Sequence, residues 1–575
     1  MNNGDKSLLH RYIPATDWLG DYTSSYLKKD LRAGLTVGIL LIPQSMAYAL
    51  LAGLPPVYGL YASIVPLVIY AVFGTSRQLA IGPVAIISIL IASGIGSLAS
   101  PESARYIGLV LVTAFFVGVV QFLMGIFRLG FLMNFISKPV ISGFTSAAAF
   151  IIGFSQAGNL LGIDIERSKY VYRVVQDIIA KIHLVHTPTL ILGIAAILFI
   201  FLLKYWKPKL PAQLICVILA IAAVWWFALG QLGVDIVGSV KQGYPIPELP
   251  SLASAPYWKL MPVILVVAFL GFTQSIALAK AMVRKNPDYN VDSNQELFSI
   301  GLANMVGSVF HAYPVAGSFS RTVVNDQNKA KTTVSLLVCA ILVTVTVLFL
   351  TPLIFYLPQA VLAAIIITAV PGLVEIKEAK FLWKIRKPEF ILMMITFVAT
   401  LGLGILEGIG IGVLISLGIV IHRSSYPNIV MLGRLPDTEH YRDLERHPEG
   451  LTQTDTIIVR VDASLYFANI PYMKEKLEEL ETKSGKNLKQ VIIDAIGINK
   501  VDSSALHALR EIVDEYEKRD IDVIFARVKG PVRDLLKRSG LEDTVGPEQF
   551  YLDISKAVDS LDNEGEEESH LSNKK

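Results

Sequence analysis

Gly317-Ser318-Phe319-Ser320-Arg321-Thr322 puts a guanidinium, two serine hydroxyls and a glycine side by side between two apolar runs, Phe298 to Phe310 and Val334 to Leu350. An ionisable side chain at membrane depth is costly, so it faces a cavity or a partner rather than lipid. Gly317 permits backbone angles closed to other residues, and Ser318 or Ser320 suits the cap of a helix starting here. The opening N–H groups and positive dipole end of such a helix would point at whatever lies in front. With Arg321 added, the chemistry is that of an anion seat. The competing reading is a short capped loop whose arginine snorkels to the interface.

A second stretch of the same kind lies far upstream, Ser76-Arg77-Gln78-Leu79-Ala80-Ile81-Gly82-Pro83-Val84-Ala85-Ile86-Ile87-Ser88. Pro83 fits the first turn of a helix, where its missing N–H is no loss. An extended approach ending at Gly82 would then open a half-helix in mid-membrane, facing the one that starts near Ser318. Two positive helix ends converging on one point suit a small anion. In the run Ile42-Pro43-Gln44-Ser45-Met46-Ala47-Tyr48, proline bends a spanning helix, so that Gln44 and Tyr48, one turn apart, can both face a cavity. The alternative is a kinked packing helix with its polar groups satisfied by neighbours.

These residues need a membrane scaffold, and the composition supplies one. The chain has 575 residues, 53% of them hydrophobic and 17% charged, with a mean hydropathy of +0.53. That places it outside ordinary soluble proteins. A net charge of +3, with basic residues in short loops, gives no sign of nucleic-acid binding. Cys216 and Cys339 both sit in apolar runs and read as packing residues. Residues 1–30 are polar with charges of both signs, and read as a cytoplasmic segment rather than a signal peptide.

From Leu31 onward the length rule for bilayer spans gives about fourteen segments, seven on each side of the proline-rich loop Gln242 to Pro256. The third (79–98) and the tenth (316–330) both begin with Gly, Pro or Ser where a helix should already be running. Interrupted segments at matching places in two halves point to a transporter site at an inverted-repeat interface. Loops that hold Arg77, Arg128, Lys138, Lys204, Arg284, Lys285, Lys329, Lys331 and the group Lys377 to Lys387 lie on one side. Their basic excess puts both termini of the 31–422 transport domain in the cytoplasm, and a plasma (inner) membrane location is expected. Lys384, Arg386 and Lys387 would sit where they can touch anionic lipid. Ser88, Thr113, Asn134 and Ser142 read as helix–helix contacts.

The runs LIPQSMAYALLAGLPPVYGLYAS (41–63), SRQLAIGPVAIIS (76–88) and AGSFSRTVVND (316–326) resemble the SulP family of anion permeases. That family includes sulfate and bicarbonate transporters, mammalian anion exchangers and the motor protein prestin. The resemblance runs from about Tyr12 to about Ser560. It implies a polytopic α-helical membrane protein, a seven-plus-seven inverted repeat with two half-helices, followed by a cytoplasmic α/β STAS domain. By position it implies a substrate site of Gln44, Tyr48, Gly82, Pro83, Val84, Phe319, Ser320 and Arg321. Arg321 would supply positive field, and Ser320 with backbone N–H groups would donate hydrogen bonds. A homodimer is also implied. One departure stands out: many proton- or sodium-coupled relatives carry a carboxylate about where this chain has Gln274. Glutamine can hydrogen-bond but cannot take a proton from solution or neutralise an arginine. Electroneutral exchange, passive flux, or a sodium site built from Thr273 and carbonyls stay open; no other cofactor is implied.

After His422 charges become frequent. Residues 423–454 read as a linker, 455–560 as alternating strands and helices of a small α/β domain, and 561–575 as a disordered polar tail. Val491-Ile492-Ile493-Asp494 followed by Val501-Asp502-Ser503-Ser504-Ala505-Leu506 resembles a STAS domain, in whose soluble relatives the serine after the aspartate is phosphorylated. Ser503 holds that place here, though Asp-Ser-Ser before a helical run is also an N-cap. His183 and His186 lack further ligands for a metal. No nucleotide loop or catalytic constellation is present, which argues against an enzyme and against ATP-driven transport. The expected function is secondary transport of a small inorganic anion, sulfate first and bicarbonate next. An uncoupled anion conductor, and an anion sensor signalling through the STAS domain to a soluble partner, are the alternatives.

Overall fold

The computed structural model describes residues 13–131, 137–165, 170–207, 210–238, 243–252, 255–286, 288–484 and 488–560. The first twelve residues of the expected N-terminal segment, Asn134 and the 561–575 tail therefore lie outside the described residues. The chain divides into two compact units, residues 1–416 and 417–575.

Among the described residues, eight helices are long and apolar enough to cross a membrane, from Ser24–Leu51 to Ile405–Ser425. Shorter ones complete the expected series: Val57–Tyr61 with Val65–Phe73 as the second segment, Ala212–Trp226 as the seventh, Ser293–Val309 as the ninth and Lys387–Leu403 as the thirteenth. The third and tenth are the broken ones. Each is an extended approach, then a half-helix, Ala85–Ile95 and Phe319–Gln327 respectively. Helices outside the series, Val171–Lys181 and Ile376–Ile385, have charged faces and fall between the fifth and sixth and between the twelfth and thirteenth segments.

The packing partners carry the repeat. The fourth segment (Ala104–Ile126) lies along the ninth as the eleventh (from Val334) lies along the second. The first packs on the eleventh as the eighth (Tyr257–Lys285) packs on the fourth, and the fifth (Lys138–Ser155) on the thirteenth as the twelfth (Gln359–Ala369) on the sixth (Thr187–Trp206). Shifting each member by seven places converts one pair into the other, as two inverted halves require. Glycines let the fourth and ninth segments cross with their backbones in contact. A Cβ on Gly301 would lie 2.3 Å from Phe122 N, and one on Gly118 would lie 2.4 Å from Met305 N. In lipid, where apolar side chains gain little by leaving one apolar phase for another, such backbone contact is what holds helices together.

On the axis relating the halves, strand β1 (Ile81–Gly82) pairs antiparallel with β2 (Ala316–Gly317), in the register Ile81 to Gly317 and Gly82 to Ala316. Non-helical backbone at membrane depth is tolerable because its groups bond to one another and to buried side chains.

The second unit carries one six-stranded sheet. Its order is β4-β3-β5-β6-β7-β8, with β3 (Ile429–Arg434), β4 (Tyr441–Asp443), β5 (Thr456–Val461), β6 (Gln490–Asp494), β7 (Asp522–Ala526) and β8 (Phe550–Tyr551). Strands β5 to β8 run parallel, with helices Ile470–Ser484, Ser503–Glu517 and Gly530–Arg538 between them. The supposed linker 423–454 is corrected: it contributes β3, which pairs antiparallel with both β4 and β5. Side chains alternate across the sheet, Ile457, Val459 and Val461 entering the core on one face, Val430, Leu432, Ile458 and Ile492 the one on the other.

Candidate anion site

The β1–β2 crossing is held by polar residues from five segments. Ser318 N donates to Ala80 O (3.0 Å), and Ala80 N donates to Thr322 Oγ1 (3.0 Å). From the eighth segment, Ser275 Oγ accepts from Gly317 N (2.8 Å), and Gln274 Nε2 donates to Gly317 O (3.0 Å). Asn304 of the ninth pins the approach by accepting from Val315 N at 2.7 Å and donating to Val315 O at 3.2 Å. Gln121 of the fourth accepts from Asn304 and donates to Ala268 O (2.9 Å). Tyr313 OH meets Ser88 Oγ at 3.2 Å. Every peptide group so engaged is fixed in place, which gives the two half-helices their angle.

Both half-helices start without a side-chain cap. Val84 is the N-cap residue of Ala85–Ile95, in extended conformation (φ −138°, ψ 144°), and has no polar atom to offer. Pro83 therefore precedes the cap rather than filling the first turn, a correction to the sequence expectation. Ser318 is the N-cap residue of Phe319–Gln327, yet neither it nor Ser320 accepts from a helix N–H; the two hydroxyls face each other at 3.4 Å. The opening N–H groups of both helices thus have no intrahelical partner and no capping side chain.

Arg321 is 1% exposed and packs behind these two ends. Its Nη1 donates to Gln44 Oε1 (3.1 Å) and to Pro83 O (2.9 Å), while Gln44 Nε2 donates to Tyr48 OH (3.1 Å). Nε and Nη2 are buried without a partner, and among the described residues no carboxylate pairs with the guanidinium. Gly82 makes room: at φ +143°, a Cβ there would stand 3.1 Å from Arg321 Nη2. Tyr48 and Val84 are buried beside it, whereas Phe319 is 65% exposed and Ser320 is exposed. Gln44, Tyr48, Gly82, Pro83, Val84 and Arg321 are thus brought together, with Phe319 and Ser320 on the open side. Thr273 and Gln274 are half-buried, and the Thr273 hydroxyl donates to Phe269 O (2.7 Å).

Ser275, Thr322, Asn304, Gln121 and Tyr313 were not singled out from the sequence. Their only signal was polarity inside an apolar run. Ser503, in the second unit, is exposed at the first turn of its helix, and Asp502 is the cap, accepting from Ala505 N (2.8 Å) and Phe467 N (3.0 Å). His186 bonds to Thr189 Oγ1 (2.7 Å) and Leu232 O (3.0 Å); among the described residues no cluster suited to a metal ion occurs.

An inverted repeat with two half-helices meeting end to end at mid-membrane defines a multi-pass membrane transport protein. The chain belongs to the sulfate permease family, whose sequence profile matches residues 27–396, and a STAS domain profile matches residues 447–557. It is 42% identical to Sulfate transporter 4.1, chloroplastic, of Arabidopsis thaliana over 95% of this chain and 82% of that protein. It is 33% identical to High affinity sulfate transporter 2 of Stylosanthes hamata, over 96% of this chain and 86% of that one. Among solved structures it resembles the murine Slc26a9 anion transporter in the inward-facing state, with a TM-score of 0.90 at 25% identity, covering 97% of this chain and 95% of that one. The transmembrane domain of the cyanobacterial bicarbonate transporter BicA shares the fold, with a TM-score of 0.59 at 22% identity over 69% of this chain and 97% of that one.

Proposed function

We propose that this protein moves sulfate across a plasma membrane by secondary transport, binding the anion between the N-termini of Ala85–Ile95 and Phe319–Gln327. The observation that carries the reading is the Arg321 guanidinium, buried without a carboxylate behind two uncapped helix ends. A buried charge without a counterion is costly, and an anion seated at those ends supplies the counterion. In this reading Ser320 and the opening N–H groups donate to the anion. Val84 and Phe319 shape the seat, and Gln44 and Tyr48 hold the guanidinium in place. The relatives named as sulfate transporters support sulfate over bicarbonate.

Gln274 bears on coupling. It spends its amide N–H on Gly317 O and cannot carry a proton through the cycle. We therefore propose exchange or uncoupled flux rather than proton symport through this position, with a sodium ion near Thr273 as the remaining coupled alternative. The excess of basic residues in one set of loops supports cytoplasmic termini. Homodimer formation, and phosphorylation of the exposed Ser503 by a partner of the STAS domain, are proposed on the resemblance.

The test is uptake of labelled sulfate and of bicarbonate into proteoliposomes, with proton and sodium gradients imposed separately. Saturable sulfate uptake that vanishes in Arg321→Ala supports the seat. Uptake driven by a proton gradient in the unmodified protein would overturn the reading of Gln274, and binding without flux would turn the assignment to a sensor.

A further inference from the structure

A cavity of about 1010 Å³ opens on the face where the first segment ends, with Leu50 and Leu51 in its wall. Ile89, Ser93 and Ser97 of the third segment and the following turn line it, as do Ser155 and Asn159 at the far end of the fifth segment. Ile89 lies one turn, about 6 Å, beyond Ala85 on the half-helix whose N-terminus forms the proposed anion seat. The cavity therefore begins just above the seat, along the same half-helix.

Its electrostatics are at first sight wrong for an anion. The helix Ala85–Ile95 ends at this cavity, and its C-terminus carries the equivalent of about −0.5 elementary charge, whereas Lys138–Ser155 runs through Gln156 straight into Ala157–Leu161. Asp164, an exposed carboxylate, lines the rim as well. Among the described lining residues the one basic side chain is Arg173. It is exposed, with its guanidinium 5.1 Å from the ring centre of Tyr170 and 5.9 Å from that of Tyr172, so that it is steadied by aromatic faces instead of by an acid. Lys181, on the same helix, is engaged with Asp177 at 2.9 Å and with Asp164 O at 2.8 Å.

We infer that this cavity is the vestibule through which the anion reaches the seat from the side opposite the N-terminus, and that Arg173 is the residue that makes it accept anions. Arg173 offsets the negative end of Ala85–Ile95, and Asp164 opposes it and limits how long an anion stays. Once inside, an anion moves along Ala85–Ile95 from its negative end toward its positive end, so the field of the half-helix carries it inward. The inference deepens the anion-transport reading and rests on it.

Two measurements test it separately. The first does not need transport. Ser97→Cys places a reactive thiol in the vestibule, in a chain whose own Cys216 and Cys339 are buried. The ratio of modification rates by an anionic and a cationic methanethiosulfonate then reads the local potential. Arg173→Gln should lower that ratio about threefold or more at low ionic strength, Asp164→Asn should raise it, and both shifts should shrink in high salt. The second is sulfate uptake into intact cells whose tagged N-terminus is shown to be inside. Arg173→Gln should raise KM several-fold at unchanged maximal rate and Asp164→Asn should lower it, opposite signs that a packing defect would not produce. An unchanged modification ratio in both variants overturns the vestibule assignment even if sulfate is transported. Shifted ratios in a protein that moves no sulfate overturn the transport reading and leave the vestibule potential standing.

Discussion

Arg321 is fully buried, and its one bonded nitrogen rests on Gln44 Oε1 and Pro83 O. Removing it in Arg321→Ala takes the positive field from the seat and leaves those two oxygens without their donor, so sulfate uptake should fall at least about a hundredfold, roughly 3 kcal/mol or more. Arg321→Lys keeps the charge but replaces the rigid planar group whose Nη1 bonds both oxygens with a flexible ammonium, and should retain measurable uptake with a raised KM. Gln274→Glu bears on coupling. Only a protonated carboxyl can replace the amide donor to Gly317 O, so uptake in this variant should be present at acid pH and decline as pH rises, against a flatter profile in the unmodified protein. A pH series in proteoliposomes with no gradient checks this. Arg321 and Gln44 are legible as candidate site residues because both are polar within apolar runs. Their mutual hydrogen bond is not, since 277 positions separate them.

At the scale of elements, the broken third and tenth segments were readable from Gly82, Pro83 and Gly317, each of which interrupts an apolar run. The manner of starting differs from the sequence expectation. Proline and serine carry strong helix-start preferences, but the β1–β2 pairing draws Pro83 and Ser318 into the extended approach. The helix ends are then left to neighbouring backbone and to whatever binds there. The crossing of the fourth and ninth segments depends on Gly118 and Gly301, whose missing side chains let backbones touch. Gly301→Val should separate the pair, displacing Asn304 and its hold on Val315. Loss of a monodisperse peak in detergent and a drop in thermal midpoint of at least several degrees are expected, with uptake falling in step.

At the scale of the whole molecule, two units of different chemistry follow one another. The second is closed by its own sheet, and residues 427–560 should fold alone as a soluble domain with a single cooperative unfolding transition. Inside it Asp494, fully buried at the end of β6, accepts from Arg527 Nε (2.9 Å) and pairs with Nη2. Arg527→Ala leaves that carboxylate with Ile496 N as its remaining donor and should cost about 2 kcal/mol, measured by urea unfolding of the isolated domain. The strand β3 is not legible in the sequence because Ile429 to Leu432 is apolar without alternation. Only its place between β4 and β5, with Val430 and Leu432 entering one core and Ile429 the other, identifies it.

Hydrophobic length, the duplicated interruptions and the charge bias determined by themselves that this chain spans a membrane many times in two inverted halves and ends in an α/β domain. Those features are local or periodic, so a linear reading captures them. Tertiary structure decided what depends on contacts between distant positions: which oxygens steady Arg321, that no side chain caps the two half-helices, and that Ser275 and Asn304 fix the backbone between them. It also decided that, among the described residues lining the cavity beyond the negative end of Ala85–Ile95, Arg173 is the one with a basic side chain. A polar residue in an apolar run announces only that it needs a partner. Which partner it finds is settled by the packing of the halves against each other.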